Sequence, residues 1–260
     1  MDGPMTQTLQ GKTIVITGAG GGLGRATALA VAAAGANVVI LARRQITGDE
    51  TADLISAEGG SALSVQVDVS VESQLHDAID LAAKQFGGLD VVIHNAASNL
   101  AGIPAAVDHV NDESWEQQFG VGLDAAYYCA KAAFPHFRTR GQGRYILMGS
   151  CYGLHGAAVN PVYAAIKGAA RGFVKALARE WGKYQINVNL VVPVGLTDMA
   201  EEYFSANPGS RDKFLTNFPM GRMGRPREDI GGAVTALCGD QMQFINGQSI
   251  VVDGGLYTAL

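Results

Sequence analysis

Charge is scarce in this chain. Only 17% of its 260 residues are Asp, Glu, Lys or Arg, the net charge is −5, and the basic residues are scattered. That argues against a surface built for nucleic acid or anionic lipid, although one local basic spot could still hold a phosphate. Cysteine is scarcer still. Cys129, Cys151 and Cys238 lie far apart, without metal-ligand spacing, and read as buried free thiols in a reducing compartment. No segment reaches the ~18 apolar residues that a membrane span needs. The opening MDGPMTQTLQGK lacks the apolar core of a secretion signal. A soluble, cytoplasmic protein without a metal site is expected, with residues 1–9 flexible ahead of the fold.

Short apolar, β-branched runs are what the sequence has instead: TIVIT (13–17), NVVIL (37–41), ALSVQV (62–67), LDVVIH (89–94), RYILM (144–148), INVNLVV (186–192) and QSIVV (248–252). Their apolarity is nearly continuous rather than alternating, which marks strands buried on both faces. Alanine-rich stretches of helical period separate them, and several stop at a glycine, as at Gly35 and Gly87. Strand and helix alternating throughout predict an α/β fold: a Rossmann-type doubly wound parallel sheet of seven strands, in one domain over residues 1–260. One stretch departs, GLTDMAEEYFSANPGSRDKFLTNFPMGRMG (195–224), and is expected to form a helical flap over the substrate.

TIVITGAGGGLGRATALAVAAAG runs from a strand through Gly18, Gly20, Gly21, Gly22 and Gly24 into a helix. Such a turn lets the backbone approach a pyrophosphate, which then rests on the helix N-terminus, so a dinucleotide is expected. At the end of the second strand, VVILARR puts Ala42 where an NAD site has a carboxylate, followed by Arg43 and Arg44. A guanidinium able to fork onto a 2′-phosphate favours NADP(H), with NAD(H) the alternative. Farther on, NPVYAAIKGAARGF sets Tyr163 four residues before Lys167, on one helix face. YYCAK repeats that spacing with Tyr127 and Lys131, so the spacing alone does not choose between the pairs.

With TGAGGGLG and YAAIK in one such sheet, residues 10 to 255 resemble the short-chain dehydrogenase/reductase family. Gly18, Gly22 and Gly24, with Leu23 among them, match its nucleotide cradle. Asp68 and Val69 match the dipeptide that contacts adenine. HNAA (94–97) stands where Asn-Asn-Ala-Gly is usual: Asn95 and Ala96 match, whereas His94 and Ala97 depart. GRMGRPREDI and INGQSIVVDGG resemble segments that support packing and subunit contacts, which implies a homo-oligomer, tetramer or dimer.

The family carries a serine thirteen residues before its tyrosine. Ser150 stands there for Tyr163, and Ser114 stands there for Tyr127. Ser114 and Tyr127 fall in one long predicted helix, ~20 Å apart along its axis. Ser150 instead ends a buried strand, and Tyr163 opens a separate helix that can fold back towards it. The resemblance therefore implies Ser150, Tyr163 and Lys167 as the catalytic set. Tyr163 would be the acid–base, and Lys167 both lowers its pKa and binds the nicotinamide ribose. Pro193 and Thr197 would contact the carboxamide.

Three positions depart from the pattern. Gly122 replaces the asparagine that orders a water chain at the lysine; either a water fills its place or the relay is compromised. Val194 replaces a glycine in VVPVGLTDM. Gly149 replaces a common serine and should widen the pocket slightly. Tyr152, Leu154, His155, Tyr203 and Phe204 are expected to line the substrate site. The implied activity interconverts a small-molecule secondary alcohol and ketone by hydride transfer. The alternative is a nucleotide-binding protein with weak or no turnover, on account of Gly122.

Overall fold

The computed structural model describes residues 8–257, and most of the start expected to be flexible lies outside them. The part inside corrects that expectation. Leu9 is fully buried, and its amide donates to the Ala34 carbonyl at 2.9 Å.

The apolar runs form seven parallel strands: β1 Thr13–Thr17, β2 Asn37–Ala42, β3 Ser61–Gln66, β4 Val91–His94, β5 Gly143–Met148, β6 Ile186–Pro193 and β7 Ser249–Val252, in the order β3-β2-β1-β4-β5-β6-β7. Every residue of β1, β4 and β5 is buried, as continuous rather than alternating apolarity requires. β4 begins two residues later than expected because Asp90 is occupied elsewhere. Its carboxylate accepts the Thr13 amide at 2.8 Å and pairs with Arg140 Nε at 2.7 Å, which ties the strand's entrance to the start of β1.

Among the described residues, ten α-helices connect and cover the sheet: α1 Gly22–Ala33, α2 Gln45–Ala57, α3 Glu72–Phe86, α4 Asp112–Phe119, α5 Ala125–Arg140, α6 Tyr152–His155, α7 Pro161–Trp181, α8 Asp198–Ala206, α9 Ser210–Leu215 and α10 Gly232–Cys238. One core packs residues of α1, α2 and α10 against the sheet, and the other packs α3, α5 and α7. Burying each Ile, Leu or Val of these layers contributes roughly 1.5–3 kcal/mol. The chain winds outward through β2 and β3, then reverses at β4, so a crevice opens beyond the carboxyl ends of β1 and β4.

The single long helix expected over residues 111–134 is modified at its middle. Asn111 caps α4, its Oδ1 accepting the Ser114 amide at 2.8 Å. Gly120–Asp124 then forms a π-helical turn that leads straight into α5. The competing pair is on this helix: Tyr127 is half exposed and Lys131 is ion-paired to Glu72 at 2.7 Å. They form part of a solvated face.

In the stretch 195–224, Gly195 and Gly224 bridge in parallel, and the Leu196 amide donates to the Gly224 carbonyl at 2.9 Å, closing its base. Within it α8 and α9 are joined by tilted and edge-on aromatics, Phe204, Phe214 and the buried Phe218.

Candidate active site

The glycine turn is held from below. Gly18 has φ +67°, and a Cβ on it would lie 2.8 Å from the Ala96 Cα; a Cβ on Gly24 would collide with the Gly18 carbonyl oxygen. Gly21 and Gly22 face open space. Asn95 fastens the turn to β4, its Nδ2 donating to the carbonyls of Thr17 and Gly18 at 3.1 Å each. The Thr17 hydroxyl oxygen accepts the amides of Asn95 and Ala96, so its proton is free for the Nδ1 of His94 at 3.1 Å. His94 therefore carries its own proton on Nε2. Burial holds the ring neutral, with its pKa lowered to about 3. The carbonyls of Gly122 and Val121 act on this ring, although Nε2 meets neither in good hydrogen-bond geometry.

Above the turn is a cavity of about 500 Å³, and its lining includes Gly18, Arg43, Asp68, Val69, Asn95 and Ala96. Six sequence-predicted nucleotide residues thus meet at the switch point of the sheet. Leu41 and Arg43 form the wall at the end of β2, whereas Ala42 is buried against Gly20 and Gly48. Seven other predicted residues do not line this cavity: Gly22 and Gly24 are at the start of α1, and Tyr163 and Lys167 are on α7. Leu23 packs close to Gly195, Pro193 closes β6, and the Thr197 hydroxyl caps α8 by accepting the Ala200 amide at 3.3 Å. The open glycine turn, the N-terminus of α1 and this cavity fit a dinucleotide.

At the next strand ends, Ser150 follows β5 and its Oγ accepts the Tyr152 amide at 3.2 Å. Tyr163 is in the first turn of α7; burial pushes its phenol up to about 12, outweighing the opposite pull of the nearby Ser150. Lys167 is buried, its Nζ donating to the Met148 carbonyl at 2.6 Å and lying 5.4 Å from the Tyr163 ring centre. Burial lowers its own pKa to about 8. In the free protein desolvation sets the direction of the Tyr163 shift. Gly153 allows this closeness: a Cβ there would be 2.5 Å from the Lys167 backbone carbon, so α6 rests directly on α7.

Comparison with known proteins agrees with this geometry. A family model described as enoyl-(acyl carrier protein) reductase matches residues 18–257. A 12alpha-hydroxysteroid dehydrogenase of a Clostridium species is 32% identical over 253 residues, covering 95% of this chain and 96% of that one. The chain belongs to the short-chain dehydrogenase/reductase family. A Sinorhizobium meliloti protein named as a short-chain alcohol dehydrogenase superposes with a TM-score of 0.90 at 29% identity, covering 98% of this chain and 99% of that one. The 3-ketoacyl-(acyl-carrier-protein) reductase of Brucella melitensis, solved with NADH, superposes with a TM-score of 0.86 at 31% identity, over 95% and 99% of the two chains.

In this dehydrogenase/reductase a second cavity, of about 360 Å³, opens beside Tyr163 and is bounded by Tyr152, Ser98, Ala101, Pro104, Val159 and Asn160. It borders the nucleotide cavity, with which it shares Ala97 and Ser98. Of the expected substrate-lining residues only Tyr152 takes part, its ring edge-on to Tyr163 with centres 6.1 Å apart. Leu154 packs into the core, His155 stacks on Tyr257 at 4.7 Å, Tyr203 is exposed, and Phe204 packs within the flap. The wall that was missed comes from the loop after β4. Asn160 Nδ2 donates to the Ala101 carbonyl at 3.0 Å and the Ala105 amide to the Val159 carbonyl at 2.6 Å, clamping that loop to the start of α7. The signals for it were a long Gly- and Pro-containing segment at a carboxyl strand end and the Asn160-Pro161 turn.

Two departures are now explained. Gly149 does not widen the pocket, because a Cβ on it would point into the core, 2.9 Å from Leu190. Gly122 lies in the π-helical turn, and a Cβ on it would be 2.7 Å from Ile166 Cγ2. No water replaces that first side-chain atom. Ile166 does.

Proposed function

We propose that this short-chain dehydrogenase/reductase is an NADP(H)-preferring enzyme that interconverts a secondary alcohol and a ketone, with Tyr163 as acid–base. The observation that carries the reading is Tyr163 in the wall of the second cavity, with Ser150 near enough to act on its phenol, where that cavity adjoins the nucleotide cavity. A bound nicotinamide supplies the hydride. The chain supplies the rest. Ser150 hydrogen-bonds the carbonyl oxygen and stabilises its developing charge. Tyr163, kept protonated by burial, gives its proton to that oxygen. Lys167 holds positive charge behind the phenol and would bind the nicotinamide ribose, while Pro193 and Thr197 would meet the carboxamide. Arg43 would hold the 2′-phosphate. It is exposed on the cavity wall and takes part in no ion pair among the described residues.

The lining of the second cavity is apolar apart from Ser98, Asn160 and the two phenols, which suits a moderately apolar, cyclic ketone. In this reading the protein is cytoplasmic and forms a dimer or tetramer, and the fully exposed Phe244 ahead of β7 supports a subunit contact there. The test follows absorbance at 340 nm with NADPH or NADH and a panel of cyclic, steroid and 3-oxoacyl ketones. Turnover that falls ~10²–10⁴-fold in Tyr163→Phe, with NADPH binding kept, is the expected result. Tight NADPH binding without turnover on any ketone would overturn it in favour of a nucleotide-binding role.

A further inference from the structure

The side chain missing at position 122 leaves a question for the proton path: what orders water at Lys167? Beside Gly122 is a small cavity of about 10 Å³, with Ser98, Gln118, Tyr163, Ile166 and Lys167 in its wall. By the usual measure that is room for about one water molecule, provided polar partners surround it. Gln118 is one turn before Gly122 in the chain, and both residues line this cavity. It is buried, at 6% exposure. Its Nε2 donates to Ser114 Oγ at 3.3 Å, while its Oε1 has no partner in the protein. A buried amide oxygen left unpaired is costly, and such atoms are normally satisfied by a side chain or by ordered water. Here the free acceptor belongs to a residue that shares a water-sized cavity with an ammonium and a phenol.

We propose that Gln118 is the positioning residue of this proton path. Its Oε1 holds a water against Lys167 and takes over the task of the side chain that Gly122 lacks. The inference rests on the acid–base reading of Tyr163. It accounts together for a glycine at 122, a branched residue at 166 that closes the space, and an orphaned amide one turn away.

The test uses the full chain with its best ketone from the panel above and NADPH. Gln118→Leu keeps the bulk and removes the acceptor, whereas Gln118→Glu keeps an acceptor oxygen. In the leucine variant kcat should fall about tenfold and its solvent isotope effect should rise, with the ketone KM and NADPH Kd within about twofold of the unaltered protein. The glutamate variant should recover most of the loss. A leucine variant with unaltered kcat and isotope effect, or a glutamate variant as poor as leucine, would overturn the inference. Tyr163→Phe separates the two levels. If it abolishes turnover while Gln118→Leu changes nothing, only the Gln118 role fails; if it still turns over, both readings fail. Should Gln118→Leu not fold, a high-resolution crystal structure of the unaltered protein decides. A water within hydrogen-bond distance of Gln118 Oε1 supports the role, and a dry cavity refutes it.

Discussion

Gly122 and Ile166 form a matched pair, and the match can be measured. Ile166 is 2% exposed, and its Cγ2 would be 2.7 Å from any Cβ at position 122. Isoleucine is branched at Cβ and holds essentially one χ1 rotamer in a helix, so this methyl cannot swing aside. Gly122→Ala therefore sets two terms against each other. Replacing a helix-interior glycine gains ~1 kcal/mol, and overpacking a filled core costs ~1–3 kcal/mol. The expected net effect is a loss of about 1 kcal/mol, or a Tm lower by about 2–4 °C. Ile166→Leu removes the branch methyl while conserving volume, at a cost below ~1.5 kcal/mol. In that background only the helical gain remains, and Gly122→Ala should stabilise by ~1 kcal/mol. The sign reverses. The resulting coupling of about 2 kcal/mol exceeds the ~0.5 kcal/mol scatter of independent sites. Urea unfolding followed by circular dichroism, at one fixed protein concentration, measures all four proteins. Gly122→Ala effects of equal sign and size in both backgrounds would refute the claim that Ile166 fills the space.

Four further outcomes are expected. Arg43→Ala should weaken NADPH by roughly 10–100-fold, the worth of a charge-assisted contact, and NADH by less than about twofold in fluorescence titration; equal losses would remove the 2′-phosphate assignment. Lys167 titrates near 8 in the folded chain against 10.5 unfolded, so the folded state releases its proton first and stability rises with pH across that interval. The rise, up to ~1.36 kcal/mol per pH unit, should vanish in Lys167→Met when urea unfolding is compared between pH 8 and 10. His94 stays neutral down to about 3 while the unfolded ring takes up a proton below 6.5, so stability is lost as pH falls through that range. His94→Asn should flatten this acid limb in the same measurement. Gly153→Ala puts a methyl 2.5 Å from the Lys167 backbone, which cannot yield, so α6 must lift and carry Ser150 with it. A melting temperature and kcat both unchanged would disprove that α6 rests on α7.

How far each site residue was legible depended on the range of the forces that place it. The seven strands were legible because two-sided burial imprints continuous apolarity on each run separately, and all seven emerged within two residues of the expected limits. Glycine stands at both ends of the stretch 195–224, and Gly195 and Gly224 bridge there. The pairing of Ser150 with Tyr163 could be separated from Ser114 and Tyr127 by asking which residues share a helix. The substrate wall was not legible in the same way: Ala101 and Val159 are far apart in sequence, and only the Asn160 and Ala105 hydrogen bonds join them.

The same distinction holds for the chemistry. The sequence by itself determined the parallel sheet and the glycine turn, because each depends on local period, local turn or residue type. Tertiary structure decided that Arg43 lines the cavity while Ala42 packs against Gly20 and Gly48, since only the twist and packing of β2 fix which side each residue takes. It also decided that Tyr163 is held protonated, because desolvation depends on everything that surrounds the ring. And it decided what occupies the place beside Gly122. A glycine states only that a side chain is missing; the neighbours that close over it, Ile166 and the Gln118 amide, come from packing that no local pattern encodes.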